Sequence, residues 1–376
     1  MSPRWPPTDC PALPKTPHVY TPSTILRWLP RRRYSPIGVD LGARSIKLVQ
    51  LSGDRSRVIE AARVELPPLP EKATPEQQAR RLAEGLKKGL DGRSFRGRDA
   101  VLCLNDRQMF LQSVRVAKQA GVDLDREVAK EAAGRVPFAV EDAEIRYLES
   151  ADVRQGDALL REVVVFACQR AVLRQVLDVV EQARLVPVGV DVEPAALVRS
   201  YAGQFRRDDD RKARALVVHV GYTRTAAVIA QGDDLLFVKY IEIGGLHFDQ
   251  AVARHLRMEL PEAISLRKHN SDRRADMQDP EVARSVAEAT RPLVERLAGE
   301  LAMCVRYHSV TFRGQPLVRM VLGGGEATAQ LLETLGRQID LKCELSDPFR
   351  TLSSEVNLGR KGQWDVAAGL ALRDSN

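Results

Sequence analysis

With 376 residues, 44% of them hydrophobic, the chain is long enough for two lobes and apolar enough to bury a substantial core. Its formal net charge of +7 permits contact with anions, but aromatics are only 5% and no basic run interleaves them, which argues against a nucleic-acid stacking surface. No apolar run approaches the roughly 18 residues that span a bilayer, and the five cysteines stand alone, with no CxxC and no neighbouring His pair, so the expectation is a cytoplasmic globular protein with buried free thiols.

Residues 1–34 are rich in proline and polar residues and are expected to form a disordered tail. Within them, STILRWLPRRR, Ser23 to Arg33, joins a short apolar patch to three arginines. That combination suits weak peripheral contact with an anionic membrane surface, but the segment is short and Pro30 interrupts it, which points instead to a plain tether or a start codon assigned too far upstream. From Pro36, PIGVDLGARSIKLVQLSGDRSRVIEAARVEL reads as three short strands with a glycine turn after the first. Thr74 to Leu90 follows as an amphipathic helix, with Pro75 in its first turn and Leu82, Leu86 and Leu90 on one face.

Ala100 to Leu104 is a further strand, Leu124 to Ala133 a helix ending at Gly134, then REVVVFACQ a strand and AVLRQVLDVVEQARL a helix. This block, about 112–185, has its own alternating pattern and is expected to be an inserted subdomain between a first half, 35–111, and a second half, 186–376. The second half opens with VPVGVDVE and the helix PAALVRSYAG, after which ALVVHVGYTRTAAVIAQGDDLLFVKYIEIGG repeats the three-strand plan from Ala215. A helical part at about 250–310 includes a long helix from Pro280 to Tyr307. The strand VRMVLGGG, a strand near LKCEL and a closing helix, 364–373, packing back on the first half complete the chain.

The turn DLGARSIK, Asp40 to Lys47, carries groups that suit phosphate. Glycine lets successive amides point at phosphate oxygens, Ser45 adds a hydroxyl, Lys47 adds a point charge, and Asp40 at the strand end suits Mg²⁺ through its waters. Alone, such a hairpin is common. Here VEPAAL with Glu193, HVGYTRT, GGLHFD from Gly244 and LGGGEATAQLLETL from Leu322 follow in order.

That ordered set resembles the actin, Hsp70 and sugar-kinase superfamily, whose two RNase H-like halves close on ATP. The pieces look like its phosphate-1, connect-1, phosphate-2 and adenosine motifs, and DVAAGLAL looks like connect-2. Within it, SPIGVDLGARSIKLVQLSG and the inserted EAAGRVPFAVEDAEIRYLES, followed by VVVFACQRAVLRQVLDVVEQARLVPVGVDVEPAAL, are similar to the PilM family of type IV pilus assembly, related to FtsA. The resemblance implies an α/β, actin-like/Hsp70-like duplicated RNase H-like fold with an inserted 1C-type α+β subdomain. It also implies a nucleotide-binding scaffold at the cytoplasmic face of the inner membrane that grips the N-terminal tail of a PilN-like bitopic membrane protein, alongside other pilus platform proteins.

Carried over by position, the resemblance places Asp40, Gly42, Ser45 and Lys47 at phosphate and Mg²⁺, with Gly221, Thr223 and Thr225 as the opposing phosphate loop. Gly323, Gly324 and Gly325 would lie against the adenosine of ATP or ADP, with Gly244, Gly245 and Arg267 nearby. Two departures weigh on activity. His219 stands where the superfamily has its second aspartate, and in AISLR the family's acid and lysine become Ile264 and Arg267. Glu193 remains as the candidate for orienting a hydrolytic water. The implied activity is nucleotide binding with weak or no hydrolysis; the competing readings are a small-molecule kinase of the same superfamily and an FtsA-like filament former, the latter expecting a C-terminal amphipathic anchor.

Overall fold

The computed structural model describes residues 33–373 apart from 71, 106, 118–122, 156–157, 206, 273–278 and 313–314. The tail and membrane-contact expectations fall on residues 1–32 and so lie outside the described residues. No helix among those described is long and apolar enough to cross a membrane. Of the cysteines described, Cys103, Cys168 and Cys304 are buried thiols and Cys343 is half-buried.

Strands β1 (Ile37–Leu41), β2 (Ser45–Leu51) and β3 (Arg57–Glu65) form an antiparallel meander. All of β1 and β2 is buried, which is why IGVDL and SIKLVQL run apolar without strict alternation. Helix α1 (Pro75–Leu90) starts on a reciprocal cap in which the Thr74 hydroxyl accepts from the Gln77 amide and the Gln77 side chain accepts from the Thr74 amide. It covers this meander, and β4 (Asp99–Leu104) then pairs parallel to β1.

Next come β5 (Phe110–Ala117), α2 (Leu124–Ala133), β6 (Ala143–Gln155) and β7 (Ala158–Gln169), in which a separate antiparallel sheet runs β5-β7-β6. The two-residue period of β7 serves two cores. Val163, Val165 and Ala167 face α2 through Val128 and Ala132, while Val164, Phe166 and Cys168 join the core of the first half.

Helix α3 (Arg170–Gln182) lies inside the range expected for the insertion, yet its Val176, Val179 and Val180 pack in the first-half core alongside Leu86 of α1. Strand β8 (Val186–Val192), expected to open the second half, instead pairs parallel to β4 and completes the first sheet, before α4 (Glu193–Gln204) and the short α5 (Asp208–Lys212). A strand pattern reveals the strand but not its ladder, which β4 sets from before the insertion.

The second meander is β9 (Arg214–Val220), β10 (Thr225–Gln231) and β11 (Asp234–Ile241). Helices α6 (Gly245–Leu256), α7 (Leu260–Asp272) and α8 (Pro280–Thr311) follow, then β12 (Leu317–Gly323), α9 (Ala329–Gly336), β13 (Lys342–Leu345), β14 (Ser353–Ser354) and α10 (Asp365–Ala371).

Two sheets share one wiring. The first runs β14-β3-β2-β1-β4-β8 and the second β11-β10-β9-β12-β13. In each, the first strand is antiparallel to the second, the second antiparallel to the third, and two parallel strands extend the other side. A tight turn therefore sits at the same corner of both halves. Helix α10 crosses back to pack on β1, β2 and α4, bringing the end of the chain to the first hairpin.

Candidate functional site

The two turns face each other across a cleft lined by both hairpins, Glu193, Arg267, Gly325 and Glu326. In the first hairpin, register puts Lys47 opposite Asp40, and Lys47 Nζ donates to Asp40 Oδ2 at 2.8 Å. Both side chains are buried at the cleft wall. Gly42 and Ser45 line the cleft beside them.

The second hairpin differs by more than one residue. His219 pairs in register with Ala226, so the cross-strand lysine is missing as well as the acid. Gly221 and Thr223 line the cleft. Thr225 does not, because it is fully buried and its hydroxyl donates to the Ile243 carbonyl at 2.7 Å. This turn is pinned by the start of α6, where the Gly245 and Leu246 amides donate to the Gly221 and Tyr222 carbonyls at 3.0 and 2.7 Å. Gly244 and Gly245 thus support the turn from behind, and neither lines the cleft.

His219 lies between two carboxylates from distant elements. Its Nε2 is 3.8 Å from Glu193 Oε1 on α4, and its Nδ1 is 3.8 Å from Asp365 Oδ2 on α10. Burial pushes its pKa down, but Asp365 and Glu193 outweigh that and hold it above the ordinary histidine value, against a smaller opposing push from Lys47. Asp365 also accepts from the Ser346 hydroxyl at 2.6 Å, and Glu193 accepts from the Tyr240 hydroxyl at 3.0 Å.

Of the three glycines ending VRMVLGGG, Gly325 lines the cleft, whereas Gly323 and Gly324 serve packing. A Cβ on Gly323 would fall 1.6 Å from Asp365 Oδ2, and Gly324 has φ +97° with the Val220 carbonyl oxygen 2.4 Å from where its Cβ would be.

Arg267 lies on the cleft wall but is engaged by the protein itself. Its Nε donates to Asp249 Oδ1 and its Nη1 to Glu326 Oε2, both at 2.6 Å. Burial alone would lower its pKa; Glu326 and Asp249 raise it instead. Asp249 supplies an acid in this region that Ile264 does not, and it takes a second arginine, Arg44 from the first hairpin turn, at 3.3 Å.

Sequence reasoning missed Asp365, Asp249, Arg44 and Glu326. Each lies within a motif already singled out, but their roles depend on which elements meet across the cleft, and single-chain spacing carries no such signal.

The cleft fits a polyphosphate. Six arginines and two lysines line it against three carboxylates, and tight glycine turns bring backbone to its edge. The fit to Mg²⁺ is poor: Asp40 is already paired with Lys47, the second hairpin offers an imidazole, and no group of three or more His, Cys, Asp or Glu among the described residues is arranged to hold a metal ion.

Duplicated five-strand wiring, facing turns and a cleft between them define a protein of the actin-like class. The family described as type IV pilus assembly protein PilM matches residues 38–375, and the chain belongs to that family. Among solved structures it is similar to a PilM-PilN type IV pilus biogenesis complex, with 24% identity, 91% of this chain and 98% of that one covered, and a TM-score of 0.74. It is also similar to the ethanolamine utilization protein EutJ from Carboxydothermus hydrogenoformans, with 15% identity, 92% and 90% covered, and a TM-score of 0.51. No curated protein sequence matches it.

Proposed function

We propose that this chain is a cytoplasmic scaffold of the type IV pilus machine that binds ATP or ADP between its two turns, turns it over slowly or not at all, and holds the cytoplasmic N-terminal tail of a PilN-like membrane protein. The observation that carries the reading is the family match across 38–375, joined to a basic cleft at the facing turns. Attachment to the inner membrane then comes through the partner.

Slow turnover follows from the groups at the cleft. Glu193, the candidate for orienting water, already accepts from Tyr240 and sits beside a histidine whose positive form is favoured. A carboxylate so engaged is a weak base. Asp40 and Gly42 with Ser45 and Lys47 would take one end of the phosphate chain, and Gly221 with Thr223 the other. Gly325 would border the nucleoside.

The tail is read as binding at the inserted block and the groove beside it; on the first-half sheet that follows the block, Val186 and Val188 stand exposed on the edge strand β8. An exposed edge with apolar side chains suits an extended peptide. Titrating the protein with a peptide from the cognate tail should give saturable binding, and Val188→Glu should weaken it by about tenfold. Absence of binding to wild type would remove the scaffold reading; a brisk magnesium-dependent ATPase rate would remove the low-turnover part.

A further inference from the structure

The positive charge that a metal ion usually brings to bound polyphosphate is already present in the walls of this cleft. Eight cationic side chains face three carboxylates, Asp40, Glu193 and Glu326. Three further acids lean on those cations from behind: Asp249 on Arg44 and Arg267, Glu65 on Lys268, and Glu242 on Arg224.

The same side chains leave a divalent ion little to hold. Mg²⁺ demands oxygen ligands and is usually held by one or two carboxylates together with phosphate oxygens. Here one hairpin offers an aspartate whose charge is answered by Lys47 at 2.8 Å, and the other offers His219 with Ala226 across from it. The Glu193 and Asp365 carboxylates face the imidazole from either side, and each takes a hydroxyl donor too, so they are committed to it and to Tyr240 and Ser346.

We propose that this cleft binds a nucleoside di- or triphosphate without a divalent cation, with Lys47, His219 and the arginine-rich wall neutralising the phosphates. The inference rests on the nucleotide reading above and deepens it. Arginine forks suit this task because they grip phosphate oxygens bidentately and stay charged. Glu193 and Asp365, each 3.8 Å from one ring nitrogen of His219, favour its imidazolium form, which adds positive charge from the second hairpin, across from Lys47 on the first. A phosphate chain gripped without a metal also lacks the ion that polarises it for attack, so binding without turnover follows from the same geometry.

The test is a titration of the full chain with fluorescent ATP and ADP analogues, once in excess magnesium chloride and once in excess EDTA. Wild type should give dissociation constants equal within about threefold in the two media. A loss of about tenfold or more in EDTA overturns the proposal while leaving nucleotide binding intact. Absence of binding in both media overturns the nucleotide reading itself. His219→Asp restores the second acid and should bind about tenfold more tightly in magnesium than in EDTA; equal binding would show that His219 is not what sets metal independence. Should His219→Asp fail to fold, His219→Asn serves in its place: it should weaken binding equally in both media. The wild-type comparison stands without either variant.

Discussion

His219 and His308 are both buried, yet their surroundings shift their pKa values in opposite directions. His219 faces Glu193 from α4, Asp365 from α10 and Lys47 from β2, and its pKa is raised. Its stabilising contribution is therefore complete below the unfolded value of about 6.5 and is lost as pH climbs through the higher folded value. His308 sits against Arg214, whose Nη1 is 3.2 Å from Nε2, and burial with that charge pushes it down to about 4. Its neutral form is favoured, so that contribution is present above about 6.5 and fades as pH falls. Thermal melts between about pH 6.5 and 8.5 should show the wild-type midpoint falling with pH more steeply than that of His219→Asn. His308→Gln should flatten the acid side instead. Parallel slopes for wild type and His219→Asn would remove the assigned role of the two carboxylates. From sequence, His219 was legible as a missing acid; its two partners were not, because they arrive from helices that only the fold brings together.

At the scale of elements, the legible features were those written in local pattern. The buried strands, the Thr74 cap and the glycine turns each follow from residues within one segment. The placement of β8 and α3 was not legible, because both join the first half from beyond the insertion and their own residues do not specify a neighbour. Helix crossing supplies a sharper case. Where α10 packs on α4, a Cβ on Gly369 would lie 1.9 Å from the Ala196 carbonyl oxygen, so the backbones approach as closely as they do only because position 369 has no side chain. Gly369→Ala should cost about 1–3 kcal/mol by forcing the helices apart. Gly299→Ala in α8, where a Cβ meets nothing within 4 Å, should instead stabilise by roughly 0.5–1 kcal/mol. Denaturant melts of the two variants check both signs; equal effects would mean that the crossing tolerates a shift.

For the whole molecule, the duplication was legible but its closure was not. The halves meet through Asp249, wholly buried on α6, which accepts Arg267 from α7 and Arg44 from the first hairpin turn; Lys268 reaches Glu65 at 3.0 Å along the same seam. Arg44 also lies over the Tyr222 ring, 5.0 Å from its centre, tying turn to turn. Removing the acid strands two guanidinium groups at once, one of them buried, so Asp249→Ala should lose about 3–5 kcal/mol. Arg44→Met leaves the Asp249–Arg267 pair in place and removes the arm to Asp249, the contact with Tyr222 and a weak pairing with Glu65 at 3.8 Å; at this partly exposed site it should cost no more than about 1 kcal/mol. The two variants separate a structural ion pair from a hinge clasp. If the clasp sets the opening of the cleft, Arg44→Met should speed amide hydrogen exchange at residues 42–45 and 221–225 while leaving the cores of both sheets protected. Exchange unchanged at both turns would mean that the sheets and α10 alone hold the halves at this separation, and that Arg44 merely decorates the seam.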